Sequence, residues 1–174
     1  DSLSAEYGLE RGTGWVALLA KQALKHRVVN ASISGDTTSG GLSRLPSVLS
    51  QHRPHVVVIE LGANDALRGL SLNATQDNLT RMVSAAQQFG ARVLLVGMQV
   101  PPNYGPDYTQ KFAALFKQVA RSQNVPLVPF FLHGVADAPD AAQMFQADRI
   151  HPNASAQARM LHNVWPELQK LLPR

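Results

Sequence analysis

Short apolar runs alternate with amphipathic stretches along the chain. Residues 55–61 and 92–98 are nearly continuous apolar runs, typical of strands buried on both faces of a parallel sheet. Two shorter runs, 28–31 and 126–129, predict further short strands. Four strands are therefore predicted along the chain.

The amphipathic stretches predict helices between these strands. Residues 15–24 repeat apolar positions at helical spacing. A helix around 42–49 contains Pro46, which we expect to bend or shorten it. The sequence Asn73-Ala74-Thr75-Gln76 resembles a capping box that opens a helix closed by Gly90. Further helices are predicted at 108–122 and 154–172.

Regular alternation of strands and helices predicts one α/β domain over residues 1–174. We expect a flavodoxin-like, three-layer α/β/α arrangement around a central parallel sheet of about five strands. Since only four strands are visible, we expect that an apolar strand, central in the sheet, precedes Asp1 in the expressed protein.

Composition narrows the possible functions. Of the 174 residues, 45% are hydrophobic and 16% charged, which indicates a globular chain. No apolar run reaches the roughly 18–20 residues of a membrane span, so we expect no stable membrane insertion. The net charge is +4, but the basic residues are scattered along the sequence, and we expect no nucleic-acid binding. A basic surface still favours approach to anionic lipid or acidic substrates.

Residues suited to acyl transfer stand near both ends of the chain. Ser2 is a candidate nucleophile, His151 a candidate base, and Asp148 a carboxylate that can orient the base. Each alone has an ordinary structural explanation, because a serine beside an aspartate is a common turn and Asp-x-x-His a common helix entry. Pro152 disfavours helical geometry at His151, which predicts a loop there.

Two further segments follow predicted strands. Ser34-Gly35-Asp36 follows the strand at 28–31, and Gly62-Ala63-Asn64-Asp65 follows the strand at 55–61. Active residues in open parallel sheets gather beyond the carboxyl ends of the strands. We therefore expect the two segments to meet Ser2 and His151 at one edge. Read singly, they are turns or helix caps.

Taken together, these blocks resemble the SGNH, or GDSL-type, hydrolase family over essentially the whole chain. Within that family the similarity is to bacterial thioesterases, lysophospholipases and arylesterases. The blocks are Asp1 to Ser4, Asn30 to Thr37, Gly62 to Asp65, Pro102 to Gly105 and Asp148 to Pro152.

The resemblance implies a serine esterase and thioesterase that forms an acyl-enzyme on Ser2. It implies an oxyanion hole built from the backbone N–H groups of Ser2 and Gly35 and the Asn64 amide. We expect Leu67, Leu70 and Tyr104 to line an acyl groove, with Leu72 and Met144 as further candidates; ordinary core packing explains each of them equally well.

No cofactor is expected, and the remaining histidines lack metal-ligand spacing. The expected partner is a small acyl ester or thioester, the expected state a monomer, and the expected location the periplasm or the extracellular space. Two alternatives stay open: a carbohydrate O-acetyl esterase of the same fold, and a non-catalytic binding module.

Overall fold

The sheet of the computed structural model, which describes residues 1–173, has three parallel strands in the order β1-β2-β3. Strand β1 is Val56–Glu60, β2 is Arg92–Val96 and β3 is Leu127–Val128. Val56 of β1 lies opposite Arg92 of β2 and Glu60 opposite Val96, so these two strands are paired along their whole length. Strand β3 adds two pairs, Leu95 with Leu127 and Val96 with Val128.

Helices cover both faces of this sheet. In chain order, α1 is Trp15–Gln22, α2 Thr38–His52, α3 Ala63–Leu67, α4 Leu72–Gln88, α5 Pro106–Gln123 and α6 Gln157–Leu171. Short 3₁₀ turns occur at Pro102–Tyr104, Ala141–Met144 and Ala154–Ala156. None of the helices between residues 1 and 173 is both long and apolar enough to cross a bilayer.

Side chains of β2 divide between two cores because successive residues of a strand face opposite sides. Val93 and Leu95 pack into the core beneath α2, α4 and α5. Leu94 and Val96 pack into the core beneath α1 and α6. Since both faces are buried, β2 needs apolar residues at every interior position, as its sequence predicts. The predicted three-layer α/β/α class is confirmed.

Several local predictions were wrong. Residues 28–31 do not form a strand, because a strand needs a ladder partner and none of the described residues supplies one. The described sheet consequently has three strands where about five were expected. Of the two effects expected of Pro46, a bend or a shortening, the shortening does not occur, since α2 continues to His52. Helix α4 is capped by Ser71, whose hydroxyl accepts a hydrogen bond from Ala74 N–H, so Asn73 lies inside the helix.

Candidate active site

The segment that carries Ser2 is a compact turn held against the end of β1. The Asp1 carboxylate accepts a hydrogen bond from Leu3 N–H (2.9 Å), and the Asp1 carbonyl accepts one from Ala5 N–H (3.0 Å). The Ser4 hydroxyl donates to the Glu60 carboxylate (2.8 Å) and accepts from the Trp15 indole (3.1 Å). Because Glu60 is the last residue of β1, these bonds place Ser2 at the carboxyl edge of the sheet.

The loop that carries His151 is organised by Asp148. One carboxylate oxygen of Asp148 accepts hydrogen bonds from the N–H groups of Ile150 (2.9 Å) and His151 (3.0 Å). This turn places Arg149 in the left-handed region, with φ of 56°. The other Asp148 oxygen lies 2.6 Å from His151 Nδ1. His151 lies outside any helix, as expected from the proline that follows it.

The two segments meet at the imidazole. His151 Nε2 lies 3.0 Å from Ser2 Oγ, although 149 positions separate the residues. Since an ionised carboxylate can only accept, its partner Nδ1 carries the proton, and Nε2 is left as an acceptor for the serine hydroxyl. Serine, imidazole and carboxylate therefore form one continuous chain of hydrogen bonds.

These hydrogen bonds lower the pKa of the Asp148 carboxyl from 3.8 to about 2. The His151 backbone N–H makes the largest contribution, followed by the His151 side chain and the Ile150 N–H. All three favour the ionised form. Asp148 is accordingly a carboxylate at neutral pH, and it stays one well into the acid range.

An aromatic side chain that sequence reasoning missed covers His151. The Tyr7 ring lies 4.3 Å from the imidazole, centroid to centroid, at an interplanar angle of 36°. The Gln146 amide donates to the carbonyls of Tyr7 (2.8 Å) and Pro152 (3.1 Å), which ties the serine and histidine segments together. No sequence motif points to Tyr7; only its proximity to Ser2 in the chain offered a hint.

Gly35 and Asn64 form a second group at this edge. The Asn64 side-chain amide donates to the carbonyl of Asp36 (2.9 Å), and the Arg68 guanidinium donates to the carbonyl of Gly35 (2.7 Å). Gly35 has φ of 79°, a conformation that glycine adopts without strain. Within residues 1–173 no hydrogen bond joins this group directly to Ser2 or His151. Arg68 had no sequence signal.

Asp65 has a larger structural role than the expected bond to its own backbone. It lies in α3 and is only 2% exposed. Its carboxylate accepts from Thr38 N–H (2.9 Å), from the Thr38 hydroxyl (2.5 Å) and from the Thr75 hydroxyl (3.3 Å). It thereby joins α3 to the first turn of α2 and to α4. A helix was expected to begin near Asp36, and α2 begins at Thr38. The positive N-terminal end of α2 therefore faces the Asp65 carboxylate.

The expected acyl-groove residues are among the more exposed apolar side chains. Leu67 is 45% exposed, Leu70 43% and Tyr104 37%. Leu67 is the last residue of α3 and Leu70 follows shortly after it, so they lie on either side of Arg68, which is bonded to Gly35. Leu72 and Met144, by contrast, pack against the two cores, which is the alternative of ordinary core packing.

A hydroxyl, an imidazole and a carboxylate in one hydrogen-bonded chain are the arrangement used in acyl transfer. The family model described as "GDSL-like Lipase/Acylhydrolase family" matches residues 1–159. The chain therefore belongs to the GDSL-like lipase/acylhydrolase family, as its motifs predicted, and it is an enzyme that hydrolyses carboxylic esters.

Individual relatives resemble the chain over nearly its full length. It is 52% identical to Esterase TesA of Pseudomonas aeruginosa, covering 99% of this chain and 86% of that protein. It is 42% identical to Thioesterase 1/protease 1/lysophospholipase L1 of Escherichia coli, covering 99% of this chain and 82% of that protein. A crystal structure of TesA matches with a TM-score of 0.94 at 52% identity, covering 99% of this chain and 96% of that one.

Proposed function

We propose that Ser2, His151 and Asp148 are the catalytic triad of a serine esterase and thioesterase. The observation that carries this proposal is the continuous hydrogen-bonded chain, 3.0 Å from Ser2 Oγ to His151 Nε2 and 2.6 Å from His151 Nδ1 to Asp148. Asp148 fixes the tautomer and orientation of the imidazole and stabilises the imidazolium that forms during catalysis.

The reaction proceeds in two acyl transfers. Ser2 Oγ bonds to the carbonyl carbon while its proton moves to His151 Nε2, and the carbonyl π electrons move to oxygen. The tetrahedral intermediate collapses, the C–O or C–S bond breaks, and the leaving alcohol or thiol takes the proton from His151. Water then attacks the acyl-Ser2 by the same route and releases the acid.

The developing oxyanion is held by the N–H groups of Ser2 and Gly35 and by the Asn64 amide. An asparagine amide has two N–H donors, and one of them is used on the Asp36 carbonyl. The second is available to the substrate. The bonds from Asn64 and Arg68 to segment 35–36 hold the donors in place before substrate arrives, which is the condition for electrostatic stabilisation.

Exposed apolar side chains favour fatty-acyl substrates over acetyl esters. Leu67, Leu70 and Tyr104 supply apolar surface that an acetyl group is too short to use, whereas each buried methylene is worth about 0.8 kcal/mol. We therefore propose thioesters, aryl esters and lysophospholipids as substrates, and place the carbohydrate O-acetyl esterase second. With p-nitrophenyl esters, octanoate should exceed acetate in kcat/KM; a wide preference for acetate contradicts this assignment.

Covalent labelling tests the nucleophile. A fluorophosphonate should add once to the protein, at Ser2 by peptide mapping, and Ser2→Ala should abolish both labelling and hydrolysis. Ser50→Ala, an exposed serine on α2, is the matched control and should behave as wild type. Full activity in Ser2→Ala would refute the proposed triad and show that Ser2 is an ordinary turn residue.

We also propose that residues 1–174 act as one monomeric domain without a cofactor, in the periplasm or outside the cell. The proposed steps use water and groups of the chain itself, and the location rests on the resemblance to exported bacterial thioesterases. Light scattering should give the mass of one chain. The activity should be found in the culture medium of the source bacterium or be released by osmotic shock; its retention with the cytoplasm contradicts the location.

A further inference from the structure

The cations that look scattered in the sequence are collected by the fold. Only three residues separate the ends of α2, α4 and α5 from the strands that follow them, at the edge of the sheet opposite the active site. The segments that reach this edge are 21–29, 50–56, 87–92 and 120–127. They contain six of the 16 basic residues and none of the 12 acidic ones. The Lys21 ammonium donates back to the carbonyl of Gly12 (3.4 Å), which precedes α1, so its charge lies away from this edge. The other five are Lys25, Arg27, Arg53, Arg92 and Arg121, and we call their surface the basic face.

Hydrogen bonds between these segments hold the basic face together. The Arg27 guanidinium donates to the carbonyl of His52 (3.3 Å). Arg92 N–H donates to the carbonyl of His55 (2.9 Å), and the Gln87 amide donates to the carbonyl of Gln123 (3.0 Å). At the end of α6, Lys170 is paired with Glu167 (2.8 Å) and adds no net charge.

Stabilisation of helix C-termini explains only part of this charge. Arg121 lies in the last turn of α5, and Arg53 is the C-cap of α2, where cations are favourable. Lys25 and Arg27 lie beyond the end of α1, and Arg92 begins a strand. Outside the basic face the chain has 11 basic and 12 acidic residues, so the face accounts for the whole positive net charge.

Apolar side chains stand among these cations. Leu24 is 84% exposed, Val29 42% and Phe89 45%. Leu24 precedes Lys25 directly, and Phe89 lies three residues before Arg92 in the connection to β2. Lys and Arg mixed with exposed Leu and Phe are the composition of surfaces that rest in a lipid interface. A nucleic acid, which binds through its phosphates, would not use the apolar side chains.

We propose that the basic face docks the enzyme onto an anionic phospholipid surface. The lipid phosphates lie against the exposed guanidinium and ammonium groups, while Leu24 and Phe89 enter the headgroup region. Each Lys or Arg near such a surface strengthens binding about fivefold. The active site lies at the opposite edge of the sheet, so docked enzyme stays open to substrate from the aqueous side.

Vesicle co-sedimentation of the full chain tests this proposal. Wild type should sediment with phosphatidylcholine vesicles that contain roughly a third phosphatidylglycerol, and not with pure phosphatidylcholine. Raising the salt from about 0.1 M to about 1 M shortens the Debye length from about 10 Å to about 3 Å and should release the protein. Lys25→Gln/Arg53→Gln/Arg92→Gln should weaken binding on the order of a hundredfold.

A matched triple variant separates this surface from net charge. Arg11→Gln/Lys117→Gln/Arg159→Gln removes the same charge from exposed positions elsewhere and should weaken binding far less. Hydrolysis of a short soluble ester should be unchanged in both variants, which checks folding. Equal losses in the two variants, no preference for phosphatidylglycerol, or binding of duplex DNA without vesicle binding each overturns the proposal.

Discussion

His151 Nε2 lies 3.0 Å from Ser2 Oγ, and the same imidazole meets the Asp148 carboxylate at 2.6 Å through its other nitrogen. The carboxylate also holds two backbone N–H groups of the loop. One side chain thus fixes both the shape of the loop and the tautomer of the base.

Asp148→Asn should reduce kcat by about 10³–10⁴-fold with little change in KM. An amide can donate to Nδ1 and so stabilise the tautomer in which Nε2 carries the proton, which leaves Ser2 without an acceptor. Steady-state kinetics on a soluble ester measures the loss. Asp140→Asn, on an exposed aspartate, is the control.

The Asp148 carboxyl should titrate with a midpoint of about 2 in the folded protein, below its usual 3.8. Because the folded pKa is lowered, the stabilisation from this carboxylate is present above about pH 4 and is lost as pH falls towards 2. Carbon-13 NMR of labelled aspartate carboxyls measures it. A midpoint near 3.8 would show that the hydrogen bonds to Ile150 and His151 do not form.

Tyr7→Ala should lower kcat roughly two- to tenfold, because it removes the ring that limits motion of the His151 imidazole. Tyr7→Phe keeps that ring and should retain wild-type activity. The Gln146 bond goes to the Tyr7 backbone, so neither change breaks it. Equal losses in the two variants would instead assign the effect to the Tyr7 hydroxyl.

Asn64→Ala should lower kcat by about 10²–10³-fold while KM stays near its wild-type value, since an oxyanion donor acts mainly in the transition state. Asn73→Ala, on an exposed asparagine in α4, should have no effect. A rise in KM alone would make Asn64 a binding residue and remove it from the oxyanion hole.

Asp65→Ala should reduce the free energy of unfolding by about 2–4 kcal/mol, because Thr38 N–H and two hydroxyls lose a buried acceptor. Urea denaturation followed by circular dichroism measures it. Asp65→Asn keeps one acceptor and should lose less. Asp77→Ala breaks an exposed pair of 3.8 Å and should change stability by under about 0.5 kcal/mol.

The pattern of hydrophobic residues predicted the elements that are buried in a regular way along their length. Strands β1 and β2 are buried on both faces, so their runs are apolar without interruption and were recognised directly. The amphipathic helices α1, α5 and α6 were found for the corresponding reason. The strand predicted at residues 28–31 was wrong, because an apolar segment becomes a strand only beside a ladder partner. The predicted cap of α4 was wrong because serine and asparagine are equally good capping residues, so the sequence did not distinguish Ser71 from Asn73. The backbone geometry makes Ser71 the cap.

The pattern of residue types predicted the fold class and the candidate side chains, because residue type sets donor pattern and burial preference, and the spaced motifs pointed to the family by resemblance. The distances between these side chains came only from the folded structure. It alone placed Ser2 against His151 across 149 positions, set the Tyr7 ring on the imidazole and gathered scattered cations onto one face. Such relationships depend on how separate elements converge in space, and residues distant in sequence leave no periodic signal of their contact.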